Sequence, residues 1–194
     1  MKPVIILASA SERRARILAE CGIAHQVVVS HADEIMDSSK SPGDNALFNA
    51  CLKAQTVARR FKSGFVIGAD TVVRSGRKLI GKPRNKTQAR CLLREFSGRT
   101  ISVYTGLCVI DAAKGKQAKA VVVSQIAVKK ITKIMADRFI KVAGPCDKAG
   151  GFSIEGPGSF IFDDVRGSFY NILGLPTIKL YQLFERLGVD LLRY

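Results

Sequence analysis

No apolar run in this chain approaches the roughly 18 to 20 residues a membrane-spanning helix needs. Stretches such as Val4 to Ala8 and Ala120 to Val123 are far shorter, which excludes a helical membrane span. The apolar stretch from Val4 gives way at once to Glu12-Arg13-Arg14, too short for the core of a secretory signal, so the expected location is cytoplasmic. The five cysteines (Cys21, Cys51, Cys91, Cys108, Cys146) contain no C-x-x-C and no Cys/His cluster. A zinc site is therefore excluded, and buried reduced thiols are expected. No G-x-x-x-x-G-K-[ST] occurs, which removes a Walker-type phosphate cradle. The two histidines, His25 and His31, have no Ser or Cys motif beside them for a triad and read as structural or surface residues. With only 6 Pro and 17 Gly, collagen-like and low-complexity classes are excluded as well.

Acidic residues are scarce: 16 Asp and Glu face 31 Lys and Arg, a formal net charge of +15. Such a surplus attracts polyanions, be they nucleotides, nucleic acid or acidic surfaces, but net charge alone does not choose among them.

The 194 residues suit one core and a single domain over 1–194. Residues 3–8 are apolar and β-branched enough for a strand buried on both faces. A Ser-Ala-Ser turn follows, then a helix over Glu12 to Cys21 closed by Gly22. Alternation marks a short strand over His25 to Ser30, and an amphipathic helix over Asn45 to Phe61. Further strands are expected over Gly64 to Val73 and at Leu79-Ile80, then a helix over Thr87 to Phe96. The long runs Ile101 to Ile110 and Ala120 to Val128 read as antiparallel neighbours. A helix over Thr132 to Val142, a strand over Phe160 to Val165 and a helix over Pro176 to Leu187 complete the chain. Strands and helices alternate early and strands pair late, so the class is α/β with a mixed sheet. The loops at 30–44, 81–86 and 144–158 are long enough to be cleft walls.

Chemistry concentrates in a few places. Ser9-Ala10-Ser11-Glu12-Arg13-Arg14 joins hydroxyls, helix-start N–H groups and two guanidinium groups directly after a buried strand, an anion site unless Ser11 merely caps the helix and the arginines are solvated. Asp70 interrupts the apolar run Ile67 to Val73, where a carboxylate needs a partner or a metal, or else caps a turn. Glu34, after Asp33, is either the second carboxylate for Mg²⁺ or Mn²⁺ or an ordinary loop acid. Lys53, on an otherwise apolar helix, and Lys82, in Gly81-Lys82-Pro83, either touch phosphate or are solvated. The segment Lys148 to Gly156 is a flexible connector or a place of close backbone approach, with Glu155 available to accept base N–H groups.

In order, the chain carries Leu7-Ala8-Ser9-Ala10-Ser11-x-Arg13-Arg14, Asp33-Glu34, Lys53-Ala54, Gly68-Ala69-Asp70-Thr71-Val72-Val73, Gly81-Lys82-Pro83, Phe96-Ser97-Gly98-Arg99 and Tyr104-Thr105-Gly106. Lys148 to Gly156 and Gly167-Ser168-x-x-Asn171-x-x-Gly174-Leu175-Pro176 follow. This series resembles the Maf family of nucleoside triphosphate pyrophosphatases. The resemblance implies a two-lobed α/β fold with a long mixed sheet, related to the inosine triphosphate pyrophosphatases, with a cleft between lobes. It implies cleavage of a nucleoside triphosphate between the α and β phosphates with a divalent metal, Mg²⁺ or Mn²⁺. On the same ground Asp70 looks like the proton acceptor, with Glu34 and Asp70 at the metal. Ser9, Ser11, Arg13, Arg14, Lys53 and Lys82 look like phosphate ligands, and Arg13, Thr71 and Glu155 like base-proximal residues. Arg13 and Thr71 resemble the dTTP/UTP branch, whereas a Glu at 155 is more like the branch acting on 7-methyl-GTP. A homodimer and a house-cleaning role are compatible with the resemblance, and so is a part in septum formation.

The competing class is a nucleic-acid-binding module resting on Lys114, Lys116, Lys119, Lys129, Lys130, Lys133, Arg138 and Lys141. The late strands lack an aromatic platform and no RNP, KH or helix-turn-helix signature occurs, so only weak, salt-sensitive adhesion is expected. A regulatory protein of cell division is the third reading, and no residue argues for it.

Overall fold

The computed structural model describes residues 3–142 and 153–193, whose strands form one seven-stranded mixed sheet. In chain order the elements are β1 (Ile5–Leu7), α1 (Glu12–Glu20), β2 (Gln26–Val27), α2 (Pro42–Ala58), β3 (Phe65–Ser75), β4 (Lys78–Ile80), α3 (Lys86–Phe96), β5 (Thr100–Asp111) and β6 (Gln117–Val128). They continue with α4 (Lys133–Val142), a 3-10 turn over Gly156–Ile161, β7 (Phe162–Arg166), α5 (Phe169–Leu173) and α6 (Thr177–Arg186). The sheet order is β2-β1-β3-β5-β6-β7, with β4 also paired to β3. β1 runs parallel to β2 and β3, and every other pairing is antiparallel. This is the mixed, helix-flanked α/β sheet that the alternating pattern led one to expect.

The two faces of the sheet are packed differently. One carries the large apolar cluster that joins Leu7, Ile67, Ala69 and Leu107 to side chains of α1, α3, α4 and α6. The other is covered by α2, through a smaller cluster of Ile6, Ala8, Val66 and Cys108 against Ala50, Ala54 and Val57. The approach of α2 is set by glycine. A Cβ on Gly68 would lie 2.1 Å from the Ala50 carbonyl oxygen, and one on Gly106 2.4 Å from that of Ala46. Only glycines in the strands facing alanines in the helix let the two backbones come this close.

Several boundaries differ from the sequence reading for identifiable reasons. α2 starts at Pro42 rather than Asn45, because Ser41 caps it, accepting a hydrogen bond from Asp44 N at 3.1 Å, and Pro42 occupies its first turn. The expected strand over His25 to Ser30 shrinks to two exposed residues at the sheet edge. The last strand begins at Phe162 because the 3-10 turn takes the preceding residues. Helix α5 was not foreseen; Ser168 caps it and Gly174, at φ 96°, ends it. The expectation of uniformly buried thiols is corrected: Cys108 is buried and Cys51 half-buried, but Cys21 and Cys91 are exposed, at the end of α1 and on the outward side of α3. All four are free, and Cys146 lies outside the described residues. Among the described residues no helix is long and apolar enough to cross a membrane.

Candidate active site

β1 stops pairing with β3 at Leu7 opposite Ile67, and β4 ends at Ile80 opposite Val73. Between them one edge of β3 has no neighbouring strand among the described residues. A cleft of about 1010 Å³ opens there, beyond the carboxyl ends of the parallel strands, where open α/β sheets bind ligands. Strand alternation sends Asp70 to the α2 face of the sheet and Thr71 to the α1 face, so the cleft draws on both layers.

On the α2 face the polar stripe Asn45, Asn49 and Lys53 recurs every four residues beside the alanine stripe. All three are buried. Asn49 accepts from Ile35 N and donates to Ile35 O, both at 2.9 Å, and Asn45 does the same for Asp37, at 2.8 and 2.9 Å. These bonds tie the loop between β2 and α2 to the helix and thereby locate Glu34. Lys53 Nζ then donates to Glu34 Oε1 and to Asp70 Oδ1, each at 2.7 Å, while Asn49 Nδ2 reaches Asp70 Oδ2 at 3.4 Å. Partial burial pushes the Glu34 carboxyl up. The Lys53 hydrogen bond and charge, helped by Lys82 and Arg14, outweigh this and hold it below the usual glutamate range.

On the α1 face Arg14 is buried, with Nε donating to Gly174 O at 2.8 Å, Nη1 to Ser9 Oγ at 3.1 Å and Nη2 to Thr71 Oγ1 at 3.1 Å. Burial lowers its pKa, the nearby Asp70 charge acting in the opposite direction. Thr71 is anchored in turn by Thr105 Oγ1 at 3.0 Å, and Thr105 donates to Asn171 O at 3.0 Å. Asn171 donates to Val103 O and Ser124 Oγ, so a buried polar chain through β5, β6 and α5 fixes this side of the cleft. Ser9 Oγ also accepts from Ser11 N at 3.2 Å. Ser11 stands at the N-cap of α1, but its hydroxyl makes no capping bond, which settles the cap alternative against a side-chain cap. At the far end, Glu155 meets Arg16 Nη2 through Oε1 and lies 3.8 Å from Arg13 Nη1 through Oε2, and Arg13 Nη1 donates to Ser153 Oγ at 3.4 Å.

All ten residues singled out in the sequence, Ser9, Ser11, Arg13, Arg14, Glu34, Lys53, Asp70, Thr71, Lys82 and Glu155, line this one cleft. The loops at 30–44 and 81–86 form parts of its wall, while residues 144–152 of the third loop lie outside the described residues. His31, read as structural or surface, also lines the cleft, in the left-handed region at φ 50°. Asn45, Asn49, Arg16 and Thr105 were missed. The asparagines had a signal, since they occupy positions of α2 that its apolar periodicity assigns to the interior.

Among the described residues no group of three or more His, Cys, Asp or Glu gathers as a metal cage. Glu34 and Asp70, both bonded to a single cation at Lys53 Nζ, are the hard oxygen donors that suit Mg²⁺ or Mn²⁺. Such ions are typically held by one or two carboxylates together with substrate phosphates, so this pair fits a divalent ion brought in with a phosphorylated ligand.

A family model described as Maf-like protein matches residues 4–187. The chain belongs to the Maf-like protein family. This Maf-like chain is 39% identical over 191 residues to a dTTP/UTP pyrophosphatase of Desulforamulus reducens, covering 98% of the chain and 100% of the relative. It is 38% identical over 193 residues to a dTTP/UTP pyrophosphatase of Dictyoglomus thermophilum, at 99% and 100% coverage. Among solved structures it is similar in fold to the Ham1 protein of Staphylococcus aureus, with a TM-score of 0.50 and 13% identity over 95% of this chain and 99% of that one.

Proposed function

We propose that this Maf-like chain is a nucleoside triphosphate pyrophosphatase that hydrolyses dTTP and UTP between the α and β phosphates, releasing a nucleoside monophosphate and pyrophosphate. The observation that carries the reading is the Glu34–Lys53–Asp70 cluster, set in a cleft whose other wall is the N-terminus of a helix with Ser9, Ser11 and two arginines. The full-length relatives named dTTP/UTP pyrophosphatase support the choice of substrate.

A triphosphate carries about four negative charges near neutral pH, and its cleavage depends on positioning and charge neutralisation. Ser9, Ser11 and the free N–H groups of α1 receive phosphate oxygens, while Lys53 and Lys82 supply the compensating charge and Arg13 reaches toward Glu155 and Ser153 at the far end. Arg14 is bonded to Ser9 and Thr71; it adds charge and holds that wall in shape. Asp70 orients the attacking water and accepts its proton at Oδ2, the oxygen opposite the one bonded to Lys53. Lys53, donating to Oδ1, fixes the orientation of the carboxylate for that task. A Mg²⁺ or Mn²⁺ ion held by Glu34 and Asp70 would supply Lewis-acid polarisation of the water and the scissile phosphate. The whole of 1–194 is read as one such domain in the cytoplasm, with a homodimer and weak salt-sensitive nucleic-acid adhesion as further parts of the proposal. Incubation with UTP or dTTP and Mg²⁺, with separate assays for pyrophosphate and phosphate, tests the reading: pyrophosphate in equal amount to monophosphate is expected.

A further inference from the structure

The cleft is chemically asymmetric along its length. At the Lys53 end, cations, hydroxyls and helix N–H groups suit a charged phosphate chain. At the other end an acid takes up the arginine charge: Glu155 Oε1 accepts from Arg16 Nη2, and Oε2 lies 3.8 Å from Arg13 Nη1 and accepts from Ser153 Oγ at 3.4 Å. Glu20 lies 3.5 Å from Arg16 Nε on the same helix, so two carboxylates face the two arginines, and such a charge-balanced, hydrogen-bonding surface suits an uncharged polar group better than a phosphate. Arg13 and Arg16 lie three residues apart on α1, hence on one face of the helix, and both line the cleft with Glu155.

The order of these groups is informative. Across the Glu155 carboxylate the surface presents Arg16, then Glu155, then Arg13: donor, acceptor, donor. The imide edge of uracil or thymine presents acceptor, donor, acceptor, namely O4, N3–H and O2. Cytosine presents a donor and two acceptors. The pairing edge of guanine presents one acceptor and two donors, so one of its N–H groups would face a guanidinium with no acceptor to meet it. Taken alone, a carboxylate at 155 would favour guanine; flanked by two guanidinium groups, it favours the imide.

We propose that Arg16 is a specificity-determining residue that, with Glu155 and Arg13, reads the imide edge of uracil and thymine and rejects guanine and cytosine. The inference rests on the nucleoside triphosphate reading above. A carboxylate has about four acceptor positions, so Glu155 keeps lone pairs for the imide N–H while holding both arginines. Loss of Arg16 removes one donor and also uncovers the carboxylate toward a donor-rich purine edge, so the preference shifts rather than merely weakening.

The test is kcat/KM of the full-length wild type, Arg16→Met, Glu155→Gln and the double variant on UTP, dTTP, CTP, GTP and 7-methyl-GTP with Mg²⁺. Arg16 is half-exposed on α1 and Met is a good helix former, so the variant keeps the fold. The wild type should favour UTP and dTTP. Arg16→Met should lose about tenfold on these two, with little loss on CTP and GTP. The double variant should lose less than the product of the single losses, since the two side chains act as a unit. An equal fall of Arg16→Met on all five triphosphates, or no change on any, overturns the inference and leaves the pyrophosphatase reading standing, as does a wild type that prefers GTP. A wild type that releases no pyrophosphate from any of them overturns both.

Discussion

Lys53 Nζ sits 2.7 Å from Asp70 Oδ1, and both side chains are about nine-tenths buried, so the pair is an ion pair of the interior rather than of the surface. Removing one partner leaves the other charge uncompensated, which costs about 3–5 kcal/mol. Lys53→Met should therefore lower the melting temperature by about 10 °C. The double variant Lys53→Met/Asp70→Asn should recover a large part of that loss, because the stranded charge is gone. Thermal melts of the three proteins read this directly, and a double variant less stable than Lys53→Met contradicts it.

Asp70→Asn alone separates chemistry from binding. The amide keeps the shape and the bond to Lys53 but cannot take a proton, so kcat should fall by about 10²–10⁴-fold. Nucleotide affinity, measured by calorimetry with UTP, should stay within a few-fold of wild type. Full turnover in this variant removes Asp70 from its assigned part.

The contact of Gly68 with the Ala50 carbonyl predicts an unusually expensive methyl group. Gly68→Ala places a Cβ 2.1 Å from that oxygen, and since backbone rather than a flexible side chain is in the way, α2 must move. We expect a destabilisation of about 3 kcal/mol. A fall in kcat should accompany it, because α2 carries Asn49 and Lys53 to Asp70. An unchanged melting temperature contradicts the close approach of helix and sheet.

Glu34 supplies a pH signature. Its carboxyl is held below the usual glutamate range in the folded protein by Lys53. Its ionised form therefore contributes stability above the unfolded pKa, and that contribution disappears as pH falls through the lower folded value. Melting temperatures from about pH 6 to about pH 3 should decline less steeply for Glu34→Gln than for wild type, and Lys53→Met should flatten the curve in the same window. Identical slopes in wild type and Glu34→Gln show that the pair has no such linkage.

Much of the α/β architecture was legible because buried strands and amphipathic helices have distinct periods, and β3, β5, β6 and α3 carry them clearly. The ten site residues were legible for a different reason. Asp70 in an apolar strand and Lys53 on an apolar helix face are each anomalous, and the ordered motifs linked them. What the sequence hid was set by contact across the fold. The alternation over His25 to Ser30 pointed to β2, but not to its length: only Gln26 and Val27 pair, beside β1. Helix α5 spans five residues, too few to show a period. The meeting of Arg16 with Glu155 joins residues 139 positions apart, and nothing local announces it. Asn45 and Asn49 were visible as polar intruders in α2, but their partners in the loop were not.

The measurement that bears most directly on the central claim is product analysis after turnover of UTP with Mg²⁺, resolving UMP, UDP, pyrophosphate and phosphate. The account predicts UMP and pyrophosphate in equal amounts, with neither UDP nor phosphate as a primary product, and loss of both in Asp70→Asn. UDP with phosphate, or an Asp70→Asn enzyme that still forms UMP at the wild-type rate, contradicts it.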